Sequence, residues 1–330
     1  MAGPYHKNFA EMVFSHIWKE KFENLKISES ENLKKDIIIN VPASQINHAI
    51  GWNGENKKLL LEQFRSVDFK CRDASMIPIK STNIDTSEES NEFNFTITTK
   101  DELPTIIADS RMPEEAKKNL KKLGNVIFIN PTSVTYNSIS SHPDIFFFQK
   151  DDALIYAPNA PKRIIKELKK RKIKLIEGKK EVGKKYPETV PYNAVGIGNL
   201  LIHNLKHTDE TILSSYKNHI NVNQGYTRCN LLALNENAFI TSDVAVGTRL
   251  ATSVHYSVLY IDPKQIKLEG QKNGFFPGCC GVWKNNLIVC GSTKNLKEKA
   301  ELDKFLKENN FNLIELYDGE LIDVGSVFFN

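Results

Sequence analysis

The 330-residue chain lacks any apolar run approaching the ~20 residues that span a bilayer, so no membrane-spanning helix and no membrane partner are expected. Its first residues, MAGPYHKNFAEM, offer neither a basic leader nor a hydrophobic stretch with a cleavage site, and export is not expected. A Walker phosphate loop is missing. The run NAVGIGN (193–199) contains a G-x-G without the following helix and third glycine of a dinucleotide site, which excludes a Rossmann reading. No cofactor is expected. Cysteine is scarce: Cys71, Cys229, Cys279, Cys280 and Cys290 form no CxxC pair. An odd number without zinc spacing argues against a disulfide framework and for reduced thiols in the cytoplasm, one of which is free to act as a nucleophile. His203 and His207 stand four apart in LLIHNLKHTD, but that run crosses a strand end, and Thr208, Asp209 and Glu210 read as a helix start. No metal site is expected there.

What is present is the composition of an ordinary soluble globular protein, 40% hydrophobic, 25% charged and 9% aromatic. At ~100–200 residues per domain the length predicts two domains, or one with an appendage. The net charge of +4 announces no nucleic-acid partner by itself and is unevenly spread. Residues 1–100 hold 13 Lys/Arg against 14 Asp/Glu, whereas Lys162 to Lys185 hold 12 basic residues against three acidic ones. That stretch reads either as a solvated lysine-rich helix face or as a surface that tracks phosphates.

The first ~75 residues read as helix, strand, strand, helix, tight loop, helix, strand. Phe9, Val13 and Ile17 recur at helical spacing, LKIS (25–28) and KDIIINV (35–41) are β-rich, and SVDFKC (66–71) alternates. Between two helical stretches lies Gly51-Trp52-Asn53-Gly54. Glycines at both ends of such a turn let two helices meet sharply and let a nucleic-acid backbone approach, because no Cβ stands in the way. The order of elements, with Val41-Pro42, Gln45, Ala49-Ile50-Gly51, Gly54, Asn56 and Leu59, resembles a type II KH domain, in particular the second KH domain of the NusA transcription factors, over about residues 8–73. The resemblance implies single-stranded RNA or a ribonucleoprotein bound beside Gly51, Trp52, Asn53 and Gly54, with Lys57 and Lys58 following. A KH-shaped protein-interaction module is the alternative, and Trp52 suits either a stacked base or a docked neighbour. The polar stretch 76–102, with STNIDTSEESNEFN at its centre, reads as a linker whose tail, FNFTITTKDEL, adds a short strand.

From about residue 103 the chain repeats itself. Five segments, 141–159, 192–204, 227–243, 278–292 and 320–330, each open a strand near a small or polar residue, and most continue through a turn into a second strand. A helical stretch and a further strand follow the first four. The last ends the chain, and 104–131 supplies the strand, helix and strand with which it would close a ring. The fold class expected is therefore α/β: an α+β head before a five-fold α/β repeat. A closed ring of such units resembles the pentein propeller of the guanidino-group-modifying enzymes (deiminases, dimethylarginine hydrolases, amidinotransferases) and of the ribosomal anti-association initiation factor. HPDI, NAVGIGN, QGYTRC, FITSD, GCCGVW and LIDVGS also resemble an uncharacterised bacterial family of that superfamily.

In a ring of repeats, equivalent positions meet on the axis. They are occupied here by His142, Ala194, Cys229, Cys279 or Cys280, and Asp323 to Gly325. Guanidino chemistry needs such a set: a thiolate to attack the amidine carbon, a histidine to move protons, and carboxylates to hold the cation. His142-Pro143-Asp144 resembles the H-x-D motif of the arginine deiminase group, and Cys229 stands two repeats later, where that group keeps its nucleophile. The resemblance implies Cys229, His142 and Asp144 as catalytic residues and Asp323, Asp109 and Cys280 as substrate-binding positions, with Cys229 a low-pKa thiolate. Each has a structural alternative: a turn cap for His142, a core thiol for Cys229, strand-end hydrogen bonding for the aspartates, packing for Cys279 and Cys280. Two functions stand open, an RNA-associated protein whose ring is a binding platform, and a thiol-dependent hydrolase or amidinotransferase acting on a guanidino or amidino group.

Overall fold

The computed structural model describes residues 9–23, 36–72, 96–99, 103–150, 153–252 and 255–330. The chain divides into two units, Met1–Leu103 and Pro104–Asn330.

The first unit is built on a three-stranded sheet. Helix α1 (Phe9–Glu23) precedes β1 (Asp36–Pro42), two short helical turns lead through α2 (Ile46–Ile50) and Trp52–Gly54 to α3 (Glu55–Gln63), and β2 (Ser66–Arg72) follows. Strand β1 lies between β2, its parallel neighbour, and β3 (Thr96–Thr99), which pairs antiparallel. The sequence LKIS lies outside the described residues, as does most of the stretch read as a linker. Thr96–Thr99 is a short strand in the tail of that stretch, as its sequence suggests: the β-branched run TITT pairs along the edge of β1. The α1 face also differs from the expected one. Ser15, Trp18 and Phe22 are buried and Val13 is exposed, because the core of Ile37, Ile39, Val41, Ala49, Leu60 and Phe64 offers a surface broad enough for the two large rings.

The second unit contains five three-stranded sheets of one design. In each, a first strand pairs antiparallel with a central strand, a helix crosses over, and a third strand returns parallel to the central one. The sheets are β6 (Phe147–Lys150), β7 (Ala153–Tyr156) and β8 (Lys174–Glu177), around helix α6 (Lys162–Lys170); β9 (Val195–Ile197), β10 (Leu200–His203) and β11 (Asn218–Asn221); β12 (Leu231–Ala233), β13 (Ala238–Thr241) and β14 (Ser257–Tyr260); and β15 (Cys280–Trp283), β16 (Asn286–Val289) and β17 (Asn312–Glu315). The fifth takes β4 (Thr105–Asp109) and β5 (Asn125–Ile129) from the start of the unit and β18 (Phe328–Phe329) from its end. Thr105 and Asn330 exchange both backbone hydrogen bonds, at 2.6 and 2.9 Å, which extends the pairing of β18 with β4 in this fifth sheet. This is the five-fold α/β architecture expected of the repeat.

The burial pattern explains the layering. Central strands such as TIIAD, ALIY and AFIT are buried at every position, because a helix covers one face and the ring interior the other. Third strands such as KLIE and SVLY are exposed at both ends and only partly buried between. Helix α6 buries Ile164 and Leu168 and turns its lysines outward; Lys162, Lys166, Lys169 and Lys170 border an open groove beside Tyr156 and Glu177.

Candidate functional site

The segments that lead into the first strands carry the polar residues of the ring. Two of them end in a single helical turn, α5 (Pro143–Phe146) and α8 (Thr227–Asn230), and a third is the turn Phe276–Cys279. Pro143 at the first helical position starts α5 directly after His142, which fixes Asp144 within the turn. The C-terminal segment is tied across this end by Asp144 N–H to Gly325 O (3.2 Å) and Ser326 N–H to Gly278 O (2.8 Å).

These ties bring Cys229, Asp144, Asn193 and Ser326 together. The Cys229 thiol donates to Asp144 Oδ2 at 3.1 Å, and Ser326 Oγ donates to the same oxygen at 2.9 Å. Asn193 Nδ2 donates to Cys229 Sγ at 3.3 Å and to Asp144 O at 3.2 Å, while Asn193 Oδ1 accepts from the N–H groups of Arg228 (2.8 Å) and Cys229 (3.2 Å). All four residues are buried. Asp144 Oδ1 and His142 Nδ1 have no hydrogen-bond partner, although both are inaccessible. An unpartnered buried acceptor is costly, and Asp144 Oδ1, on the carboxylate that receives the thiol, points to a ligand that donates hydrogen bonds.

The electrostatics corrects the sequence expectation for Cys229. Burial pushes its thiol well above the usual range, and the charges of Asp144 and Asp323 push it further; the Asn193 amide opposes them. Cys229 is a protonated thiol that donates a hydrogen bond, not a resting low-pKa thiolate. Asp323 is likewise raised, to about 6, by burial, with His142 pulling the other way. Its two oxygens accept from Gly325 N–H and Phe275 N–H, both at 3.0 Å. Gly325, in the left-handed region at φ +65°, lies flat on His142; a Cβ there would sit 2.1 Å from the histidine Cβ.

Two expected substrate contacts are placed differently. Asp109 is already saturated: Arg111 meets it through its backbone N–H (2.7 Å), Nε (3.2 Å) and Nη2 (2.7 Å), and Ser141 Oγ donates at 2.8 Å. It serves as an anchor whose Oδ2 stands 3.8 Å from His142 Nε2. Arg111 also reaches the carbonyls of Asn137 and Ser138, so the same pair holds the loop before His142. Cys280 points into a hydrophobic cluster with Cys279, its thiol donating to Phe276 O at 3.1 Å, because the doublet follows a tight turn that turns both side chains into packed core. Asn193 and Ser326 went unnoticed in the sequence; the position read there as Ala194 is shifted by one residue.

His203 holds the loop before the cysteine. Burial lowers it to about 4, so it is neutral; Nε2–H donates to Gly225 O at 2.8 Å and Nδ1 accepts from Thr208 Oγ1 at 2.7 Å. Both ring nitrogens are occupied, and Asp209 caps the following helix by accepting from Thr211 N–H. Tyr226, in that loop, bonds Tyr136 at 2.9 Å and Thr189 at 2.6 Å between hydroxyls. Among the described residues no three His, Cys, Asp or Glu side chains form a metal-holding group, and no helix is long and apolar enough to cross a membrane.

In the first unit, Asn56 Nδ2 donates to Ser15 O (2.9 Å) and His48 O (3.3 Å). It packs beneath Gly51, whose φ of +87° only glycine adopts easily, and so fixes the turn. Trp52 and Lys58 are exposed, Lys57 is half-buried, Asn53 is left-handed, and a Cβ on Gly54 would meet nothing within 4 Å.

Several solved structures are similar to the chain at low identity. The DDAH of Pseudomonas aeruginosa, a mutant complexed with citrulline, is 11% identical at a TM-score of 0.41, over 64% of this chain and 91% of that one. SxtG, an amidinotransferase from Microseira wollei in the saxitoxin biosynthetic pathway, is 14% identical at 0.42, over 64% and 88%. The agmatine deiminase of C. jejuni, a mutant with substrate bound, is 13% identical at 0.38, over 90% and 93%. No curated protein matches the chain. The model of a family described as "Family of unknown function (DUF6873)" matches residues 107–328, most of the second unit, and the chain belongs to that family.

Proposed function

We propose that the second unit is a thiol-dependent hydrolase or amidinotransferase acting on a guanidino or amidino group. Cys229 is the nucleophile, His142 the acid and base, and Asp144 with Asp323 the carboxylates that hold the cation. One observation carries this reading: a buried thiol donates to Asp144, whose Oδ1 is left without a partner, and the Nδ1 of His142, two residues before it, is buried and unpartnered as well. A guanidinium is planar, cationic and rich in N–H donors, so it supplies the missing bonds. Its charge also opposes the repulsion that keeps Cys229 protonated, so the thiolate forms when the cation is bound. The Cys229 proton passes to His142 as the sulfur bonds the amidine carbon, and the C–N bond to the departing amine breaks as His142 passes that proton to its nitrogen. Attack by water releases a urea product; attack by a second amine completes transfer of the amidino group. Both routes restore the free thiol.

The test is covalent labelling mapped by mass spectrometry. 2-Chloroacetamidine, a cationic probe, should alkylate Cys229 faster than neutral 2-chloroacetamide does, and His142→Ala should abolish that preference. A Cys229 inert to both, or alkylated equally fast by both, would refute the reading.

The first unit carries a second reading, a KH-like module that binds single-stranded RNA or a ribonucleoprotein along residues 51–54. The open side of Gly54 and the exposed Trp52 support it. Filter binding to a single-stranded RNA pool should be lost in Gly54→Asp; unchanged binding would end it. The four other cysteines carry no disulfide either, which suits a cytoplasmic protein.

A further inference from the structure

We propose that the axis of the ring holds, beyond Cys229, a binding site for a small carboxylate with an apolar tail, received by the guanidinium of Arg228. The proposal is independent of the chemistry assigned to Cys229. All five first strands contribute to a cavity of about 230 Å³ there, through Gln149 of β6, Val195 of β9, Leu232 of β12, Val282 of β15 and Phe328 of β18. Four of these wall residues stand further along the chain than the residue that the same segment gives the thiol site: Gln149 follows Asp144, Val195 follows Asn193, Leu232 follows Cys229 and Phe328 follows Ser326. The cavity therefore opens beyond that site, with Arg228 between the two.

Among the described residues, Arg228 is the one charged residue on the cavity wall. Its guanidinium lies over the Phe328 ring, 5.7 Å from the centroid, and donates to Pro277 O at 3.2 Å and Cys280 O at 3.3 Å. A guanidinium has five N–H donors, so three have no protein partner among the described residues. No carboxylate among those residues forms an ion pair with it. Asp144 and Asp323 act on it only through space, and burial works against its charge. A partly buried cation held by two carbonyls gains from a direct anionic partner.

The walls select the anion. A guanidinium meets a carboxylate through two parallel hydrogen bonds, which one arginine provides alone. A doubly charged phosphate calls for more donors than this cavity has, and Val195, Leu232, Val282 and Phe328 offer none. At ~30 Å³ per water-sized group the volume has room for about eight such groups, which suits an acid of about four to six carbons.

Titration calorimetry on the full chain tests this with butyrate, butyramide and inorganic phosphate. Butyrate should bind saturably, butyramide at least tenfold more weakly, and phosphate no better than butyramide. Arg228→Gln, checked by circular dichroism for an unchanged fold, should weaken butyrate at least tenfold. If that variant fails to fold, Val282→Trp, which fills the cavity from β15 and leaves Arg228 in place, should abolish binding instead. The proposal is overturned if butyrate does not bind, if butyramide matches it, if phosphate displaces it, or if binding survives in the folded variants.

Discussion

Replacing Asn193 with alanine removes one side chain that serves three segments at once. Its Oδ1 is the acceptor for Cys229 N–H, while Arg228 N–H keeps the Asn193 backbone carbonyl at 3.0 Å. The substitution thus orphans one buried donor, at about 1–3 kcal/mol, and deletes the bonds to Asp144 O and Cys229 Sγ, at about 0.5–1.5 kcal/mol each. The sum is about 2–6 kcal/mol, against a total stability of about 5–15 kcal/mol for a typical protein. With about 2–4 °C per kcal/mol for a unit of this size, the melting temperature should fall by roughly 10 °C. Urea unfolding followed by near-ultraviolet circular dichroism measures the loss. Alkylation of Cys229 in the still-folded variant should also slow, because the amide no longer donates to the sulfur and its thiolate becomes harder to form. Asn193→Asp keeps the acceptor but removes both donors and adds a charge beside Asp144, so it should be no more stable than the alanine variant. A loss below ~1 kcal/mol in Asn193→Ala, or wild-type stability in Asn193→Asp, would refute the bridging role.

Asp323 and His203 predict opposite pH slopes over one window. The Asp323 carboxyl, at about 6 in the folded chain and 3.8 unfolded, takes up its proton first when folded, so it favours the fold at low pH and loses up to ~3 kcal/mol as pH rises from 4 to 6. Asp323→Asn should therefore show steeper loss of stability on acidification than wild type. His203, at about 4 folded and 6.5 unfolded, contributes stability above pH 6.5 that is lost, again up to ~3 kcal/mol, as pH falls toward 4. His203→Gln should lack that acid loss. Urea midpoints between pH 4 and 6.5 check both, and profiles parallel to wild type in either variant would refute the assignment for that residue.

The repeat was legible in the sequence because each unit must bury its central strand on both faces, and apolar runs such as TIIAD and AFIT recur with helices after them. Closure by the last strand followed from counting the pieces. That the segments before the first strands converge was legible for the same reason, and Asp144, Asn193, Cys229 and Ser326 do meet. Which side chain of each segment turns inward was not: a shift of one residue separates Ala194 from Asn193 and Gly325 from Ser326, and in extended chain one residue reverses the side chain's direction. The occupation of Asp109 by Arg111 was written in the run Asp-Ser-Arg, but an aspartate two residues before an arginine has many solvated alternatives. Helix α1 misled because Phe9, Val13 and Ile17 form a regular row, yet Trp18 and Phe22 bury more area and set the rotation.

Charge balance ties the thiol to its neighbours. At this end of the ring Asp109 is neutralised by Arg111, which leaves Asp144 and Asp323 with Arg228 as the nearby permanent cation. Two carboxylates against one guanidinium leave an excess negative charge wherever both are ionised, and a buried group responds by holding a proton. Cys229 does so and remains a thiol, while Asp323, raised to about 6, keeps its proton only below that pH. A permanent second cation from the protein would relieve the excess and make Cys229 reactive at all times. The fold instead leaves Asp144 Oδ1 unpartnered, so the missing positive charge has to arrive with a ligand, and formation of the nucleophile is coupled to the presence of something for it to attack.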